Sequence, residues 1–518
     1  MKKLSFWLSV ALLLMVIIGS AVILLWVTDN GIGLTTDSTI YLSAAKSLLN
    51  GRGFYAFGEP MTHYPPVYPL LLAAAGIFNP DILISARWLH ALLYGLNGVL
   101  FMLIVYVATN RSIFALLAAG ILYFMSEYLL DIHAYAWSDS AFITFALLTV
   151  LCFIRYSTKQ KPKWIYLTAA ALSLAMSTRY IGITLLPAVI FVFLFFSQLQ
   201  IRQRIRQALL IAGISGLPLA IWMVRNLIVA KTAFDRAVAH HPIDADSYHD
   251  LVSSLHNFIF PSTLTWWNNL IELGVIATVF SIILYKLIKV DWKDHGRWLG
   301  SEVLILTGIT TSITYVLFLL ISKAYFDALT LFNHRILSPV FIFLSLFAIS
   351  IMYAYSVRTN NKAAWAVFLL CVLLVGRANF VSTVDSAFFK RNNGLGLNSE
   401  IIHQSPLLEG LSGLENGLLL YSNGYREIGF ITGQKTASLP QKYDAMSRIE
   451  NPFYTYQVDT ICDDVERGKA LIVYSRLLPS WEIYPTSEEI EIVCSLTTYY
   501  DEYDGIIFGT DDHPVFIQ

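Results

Sequence analysis

The chain has 518 residues, 56% hydrophobic and only 14% charged, with a mean hydropathy of +0.59; soluble domains carry about a quarter charged residues, so a purely soluble protein is excluded and the chain belongs in a membrane. A formal charge of −1, from 35 Lys+Arg against 36 Asp+Glu, leaves no basic excess for a nucleic-acid backbone, and four cysteines exclude a disulfide scaffold or a Cys-rich zinc site. The aromatic share of 14%, with 28 Tyr and 12 Trp, suits bilayer interfaces and clefts for sugar or lipid.

A hydrocarbon core of about 30 Å needs about 20 apolar residues per helix. Eleven apolar segments bounded by charged or turn residues are candidate spans: 5–27, 83–108, 112–130, 139–156, 164–178, 181–198, 207–229, 269–288, 301–321, 336–356 and 363–377, of which the fifth is interrupted at Thr178-Arg179 and the last is short for a span. The first follows Met1-Lys2-Lys3 but has a long apolar core and no small-residue cleavage site after Trp26, so it reads as a retained anchor and not a signal peptide. With the amino terminus inside, Arg111, the Arg155/Lys159/Lys161/Lys163 cluster, Arg202/Arg204/Arg206, Lys286/Lys289/Lys293/Arg297 and Arg358/Lys362 all fall in or beside inside loops, as the positive-inside rule requires. The expected organisation is a polytopic α-helical membrane domain, 1–377, and a carboxyl-terminal domain, 378–518, on the external side. In that tail 417–422, 470–475 and 504–509 read as buried strands and 455–468 as a helix, which makes a small α/β domain. Cys462 and Cys494 both lie in it, either as a disulfide or as two buried thiols; Cys152 and Cys371 fall within spans as packing residues.

Three external segments, 28–80, 230–268 and 322–335, are more polar and aromatic than connectors need to be. In the first, Ile40, Tyr41, Ala44, Ala45 and Leu48 form one apolar stripe, so a short interfacial helix follows Thr36 and stops at Gly51. Asp37 stands at its start, either as a first-turn acid worth about 0.5–1 kcal/mol or as a general base for an incoming hydroxyl. Pro65-Pro66 redirects the chain into 67–78, a second interfacial or shallow re-entrant helix. After the third span come Glu127, Asp131, His133 and Asp139; carboxylates at a membrane mouth are costly unless they face a wet cavity or a partner, which makes them site candidates. Glu127, Asp131 and His133 also have the chemistry for a divalent metal, although their spacing matches no specific motif, and Asp139 alternatively caps the fourth span. Arg179, Arg225, Lys323 and Arg335 lie near external helix ends, against the positive-inside trend. Singly each reads as a snorkelling or paired residue; together they read as an anion site.

TTDSTIYLSAAKSLLNGRGFY, HYPPVYPLLLA, SEYLLDIHAYAWSDSAF, TRYIGITLLPA, LPLAIWMVRN and FNHRILSPV, in that order, resemble the bacterial members of the GT-C superfamily of integral-membrane glycosyltransferases, relatives of protein O-mannosyltransferases and of the lipid A aminoarabinose transferase. The likeness covers roughly 1–340 and rests on order, topology and short motifs. It implies transfer of a hexosyl or pentosyl group from a polyprenyl-phosphate carrier to a glycan, lipid or protein acceptor on the external face of the plasma membrane, with inversion. It also implies Asp37 as base or acceptor-positioning group; Asp139, or else Glu127 or Asp131, as the second acid; and Arg179, Arg225 and Arg335, with Lys323, around the donor phosphate. Many relatives carry two acids where this chain has Asp37-Ser38, which leaves a metal open. Tyr41, His63 and Tyr64 are expected to line the substrate site, and Tyr55, Trp137, Trp266 and Trp267 are further stacking candidates. Competing readings are a transporter or flippase of lipid-linked saccharides, a polysaccharide polymerase or ligase, and a sensor; P-loop and dinucleotide fingerprints are absent.

Overall fold

The computed structural model describes residues 2–196, 199–260, 266–289, 300–414, 417–478, 482–494 and 496–509; Lys293, Arg297 and the side chains of Trp266, Lys286 and Lys289 lie outside the described residues. The chain opens with α1 (Lys2–Val27), α2 (Thr36–Leu49), a minimal hairpin of β1 (Tyr55–Ala56) and β2 (Glu59–Pro60), and α3 (Val67–Gly76). A helical body follows: α4 (Ile82–Ala108), α5 (Ile113–Phe124), α6 (Glu127–Ala134), α7 (Ser138–Lys159), α8 (Pro162–Thr178), a 3-10 turn (Tyr180–Thr184), α9 (Leu185–Phe196), α10 (Ile201–Ala230), α11 (Ala245–Asn257), α12 (Trp266–Lys289), α13 (Gly300–Tyr325), α14 (His334–Thr359) and α15 (Lys362–Asn393).

Each of the eleven apolar segments is helical over most of its described length. Among the described residues, six helices (α4, α7, α10, α13, α14 and α15) are long and apolar enough to cross a membrane alone, and α5 with α6, bent by 59°, makes a seventh if the pair is one span. The expected count of eleven is therefore not reached on length and composition. Of the other four segments, α1 and α12 are described with their side chains only in part, the 3-10 turn with α9 spans Tyr180–Phe195, and α8 has 17 residues, about 25 Å of rise, before that turn, where Gly182 packs so closely that a Cβ there would stand 2.6 Å from the Ala175 carbonyl oxygen. The multi-pass character stands.

The body packs α7 on α8, α13 on α14, α1 on α4 and α8 on α10. At one end Gly300 meets Ala108 and Ile154, and Arg358 pairs with Glu302. At the other end the carboxyl ends of α8 and α13 and the amino ends of α2 and α14 line one cavity, and the amino end of α7 is tied to them through Asp139.

α15 continues past its apolar stretch to Asn393, and Gly394 opens the carboxyl-terminal unit. This comprises α16 (Glu400–His403), α17 (Pro406–Ser412), β3 (Leu419–Ser422), α18 (Tyr425–Thr432), β4 (Thr436–Ser438), α19 (Tyr454–Glu466), β5 (Ala470–Ser475), α20 (Ser487–Cys494), β6 (Thr497–Glu502) and β7 (Gly505–Gly509). The sheet order is β4-β3-β5-β7-β6, with β3 parallel to both β4 and β5 and with β7 antiparallel to both its neighbours. Ile472 and Phe508 of the sheet pack on Val458, Ile461 and Val465 of α19, and Cys462 is joined to Cys494. The three expected strands and the expected helix are present; β4 and β6, short or strongly acidic, carry no hydrophobic signal.

The two parts share a core. Tyr41, Leu42 and Leu72 belong to the same apolar cluster as Leu407, Ile428 and Val473. The extended Ile32–Thr35 segment stitches the junction: Gly33 exchanges backbone hydrogen bonds with Ala134 and Ala136, the Leu34 carbonyl accepts from Leu397 N at 3.0 Å, and the Ile32 carbonyl accepts from Asn398 Nδ2 at 2.7 Å. Gly396 sits at φ +56°, and a Cβ there would collide with the Leu34 carbonyl oxygen, so glycine is required twice over. α2 consequently packs between α3 and α18.

The cysteine pairing gives a first prediction. Denatured without reductant, the chain should take up two PEG-maleimide groups, on Cys152 and Cys371, and after reduction four; four before reduction would refute the Cys462–Cys494 bond.

Candidate functional site

The site is built where three helices begin. Thr35 precedes α2, its N–H donating to Ser38 Oγ at 3.1 Å, and this puts Asp37 in the first turn. Asp139 occupies the first turn of α7. Asn333 caps α14 through Ile336 N at 3.1 Å and puts Arg335 in its first turn. Helix starts favour anions, so Asp37 and Asp139 are well placed, whereas Arg335 is not and needs carboxylates.

Arg335 has them. Its Nη2 donates to Asp37 Oδ2 at 2.7 Å and its Nε to Asp139 Oδ2 at 3.2 Å, while the guanidinium lies 4.3 Å above the Trp137 ring. Trp137 stacks on Tyr135 at 4.3 Å and donates from Nε1 to Thr35 Oγ1 at 2.9 Å, so the indole is held on both sides. Asp139, 1% exposed, spends its other oxygen on Arg179. Tyr64 donates to Asp37 Oδ1 at 2.6 Å, its ring 4.7 Å from that of Tyr41.

Burial alone would raise the Asp37 pKa, but the Arg335 guanidinium and the Tyr64 hydroxyl outweigh it and hold the carboxyl down at about 2. Burial, then the Asp37 charge, pushes Tyr41 up to about 12 and raises Tyr64 well above the ordinary tyrosine range. Burial, then the Arg236 charge, pulls His63 down to about 4, so it is neutral at pH 7.

Asp37, Tyr41, His63, Tyr64, Arg179 and Arg335 all face a cavity of 620 Å³. Its remaining wall includes Arg236, Asp327, Arg426, Glu427 and Tyr484, so the membrane body and the carboxyl-terminal unit close it together. Reading the sequence does not single out Arg236, Asp327 or Arg426. Arg236 and Asp327 carry the signal of charges in the long polar segments 230–268 and 322–335; Arg426 lies beyond the recognisable motifs and carries none.

Other candidates stand apart. Arg225 donates to the carbonyls of Met61 (2.7 Å) and Phe54 (3.2 Å) and lies 4.8 Å from the Trp222 ring, tying the β1–β2 hairpin to α10. Lys323, 8% exposed, donates to the carbonyls of Ala328 and Thr330 and shapes the loop before α14. Asp131 pairs with Lys390 at 2.6 Å, with His334 at 3.8 Å on its other oxygen, and Glu127 takes the Ser382 hydroxyl. His133 points elsewhere: its Nδ1 meets the Leu129 carbonyl at 2.7 Å and its Nε2 meets Asn97 at 3.0 Å. Glu127, Asp131 and His133 thus do not fit a metal, and among the described residues no three His, Cys, Asp or Glu side chains gather to hold one.

Comparison with known proteins agrees with this architecture. The family model described as dolichyl-phosphate-mannose-protein mannosyltransferase matches residues 47–235. ArnT from Cupriavidus metallidurans in the apo state superposes with a TM-score of 0.60 at 12% identity, over 96% of this chain and 98% of that one. The same protein bound to undecaprenyl phosphate gives 0.58 at 11% identity, over 96% and 97%. The oligosaccharyltransferase of Archaeoglobus fulgidus aligns at 13% identity with a TM-score of 0.48, over 96% of this chain and 74% of that one. No curated protein matches in sequence.

Two outcomes follow from the ion pairs. Asp139→Asn leaves Arg179 and Arg335 both short of a buried partner and should cost about 3–5 kcal/mol in detergent unfolding, well above the cost of Asp37→Asn; equal costs would refute the central place given to Asp139. Because the folded pKa of Asp37 lies below that of a free aspartate, about 3.9, its stabilisation is fully present above roughly pH 4 and is lost as pH falls through 2. The stability gap between the unmodified chain and Asp37→Asn should accordingly be flat from pH 7 to 5 and shrink below pH 4.

Proposed function

We propose that this chain, which has the GT-C fold of integral-membrane glycosyltransferases, moves a sugar from a polyprenyl-phosphate carrier to an acceptor hydroxyl at the outer membrane face, with inversion. The observation that carries the reading is the meeting of a carboxylate, Asp37, with two arginines, Arg335 and Arg179, on one wall of a cavity at the end of the helical body. The undecaprenyl phosphate held by ArnT supports the same class of donor here.

The geometry suggests an order of events. Arg335 and Arg179 use only some of their N–H donors on Asp37 and Asp139, so a donor phosphate has groups left to bind. Its charge competes with Asp37 for Arg335. As that cation turns to the phosphate, the main influence lowering the Asp37 pKa weakens, and the carboxylate becomes a better base at the moment substrate is present. The acceptor oxygen then attacks the anomeric carbon and its proton passes to Asp37. The bond from that carbon to the phosphate oxygen breaks, and the electron pair leaves with the polyprenyl phosphate, whose added charge Arg335 and Arg179 stabilise. Asp139 touches neither substrate in this scheme and acts as a positioning residue for both arginines. Tyr64 holds the unused oxygen of Asp37. Arg225, Lys323, Glu127, Asp131 and His133 are assigned to holding the fold, because their partners are protein atoms away from Asp37.

The proposed orientation has the amino terminus in the cytoplasm and the domain beyond α15 outside the plasma membrane. The basic helix ends opposite the cavity and the Cys462–Cys494 disulfide, a bond of oxidising compartments, both support it. The test is label transfer from a panel of radiolabelled polyprenyl-phosphate sugars by purified protein in native lipid extract. Asp37→Asn should lower transfer by at least about a hundredfold with the protein still folded. Full retention of activity would reduce Asp37 to a first-turn acid.

A further inference from the structure

The cavity has a second cationic wall that this scheme leaves unused. Arg426, in the first turn of α18, faces the cavity with its guanidinium 5.0 Å from the Tyr425 ring, and among the described residues no carboxylate lies within ion-pair distance of it. Arg236 lines the same cavity with a buried Nε that has no acceptor; its nearest partners are His63 Nε2 at 3.5 Å and Asp327 at 3.6 Å, both at the limit of useful contact. A buried donor without an acceptor costs about 1–3 kcal/mol, which a ligand oxygen would recover. The acidic groups on this side are already engaged. Glu427 accepts from the Thr36 hydroxyl, Asp444 from Ser447 N and Oγ at 2.7 Å each, and Asp327 from Leu329 N at 3.1 Å.

The Thr36–Glu427 hydrogen bond fixes the relation to the reacting centre, since Arg426 and Asp37 are the sequence neighbours of its two ends. We infer that Arg426 and Arg236 form an acceptor subsite, and that the acceptor is a sugar or polyol bearing a carboxylate or phosphate beside the hydroxyl that enters toward Asp37. The inference rests on the transferase reading and extends it to the substrate class. It also assigns the carboxyl-terminal unit a role in selectivity, since that unit supplies the half of the cavity that chooses the acceptor.

Titration calorimetry of the full chain in detergent with glucuronic acid, glucose 6-phosphate and glucose tests it without any turnover. At least one charged sugar should bind about tenfold or more tightly than glucose, and whichever does so tells carboxylate from phosphate. Arg426→Ala should abolish the preference and Arg426→Lys should retain part of it; melting curves confirm that each variant is folded. Equal binding of all three sugars, or an undiminished preference in Arg426→Ala, would overturn the subsite. Release of labelled sugar from the polyprenyl-phosphate carrier by the unmodified chain tests the donor reading separately. Charge preference without release removes the donor reading and not the subsite, and release without charge preference does the reverse.

Discussion

Arg335 is the constraint on which the cavity end of this protein depends. A guanidinium in the first turn of a helix, beside the membrane boundary, is tolerable only if anions reach it, and Asp37 and Asp139 do so from two other helix starts. Because these acids sit in α2 and α7, the three-way contact sets the mutual position of α2, α7 and α14, and through Asp139 it also holds Arg179 at the end of α8. The aromatic sandwich of Tyr135 and Trp137 covers the open face of Arg335 and ties it to Thr35. The same contact defines the electrostatics of the cavity, since Asp37, Arg179 and Arg335, which hold it together, also line that cavity.

The carboxyl-terminal unit is part of this machinery and not an appended module. Its core merges with that of α2 and α3, its backbone bonds to Ile32 and Leu34, and α18 reaches Thr36 through Glu427. A displacement of this unit would act on the helix that carries Asp37. The cavity is therefore a property of the whole chain, and neither half encloses it alone.

Several features were legible in the sequence for definite reasons. Apolar runs bounded by basic loops mark helices because the bilayer leaves no other way to satisfy the backbone. Asp37, Asp139, Arg179 and Arg335 were legible as charges in places where charge is expensive, and all four meet at one site. The same rule also selected Arg225 and Lys323, which the fold satisfies with backbone carbonyls. Cost alone identifies a charge that needs a partner and does not say whether the partner is a ligand. His133 shows the reverse limit: four residues from Leu129 and close in sequence to Asp131, it turns to a carbonyl and an amide because a neutral imidazole in a packed interior seeks one acceptor and one donor.

By itself the sequence determined that the chain is a multi-pass helical protein with a small α/β tail, and that acids and arginines stand at one end of its helices; these are consequences of local hydrophobicity and of charge placement along the chain. Only the tertiary structure decided which of those charges meet, that Asp139 is shared by two arginines, and that Arg426 of the tail shares a cavity with Asp37. Pairings across 196 and 298 positions, as between Arg335 and its two acids, depend on how helices lean on one another, and no periodicity or motif within a single segment encodes them.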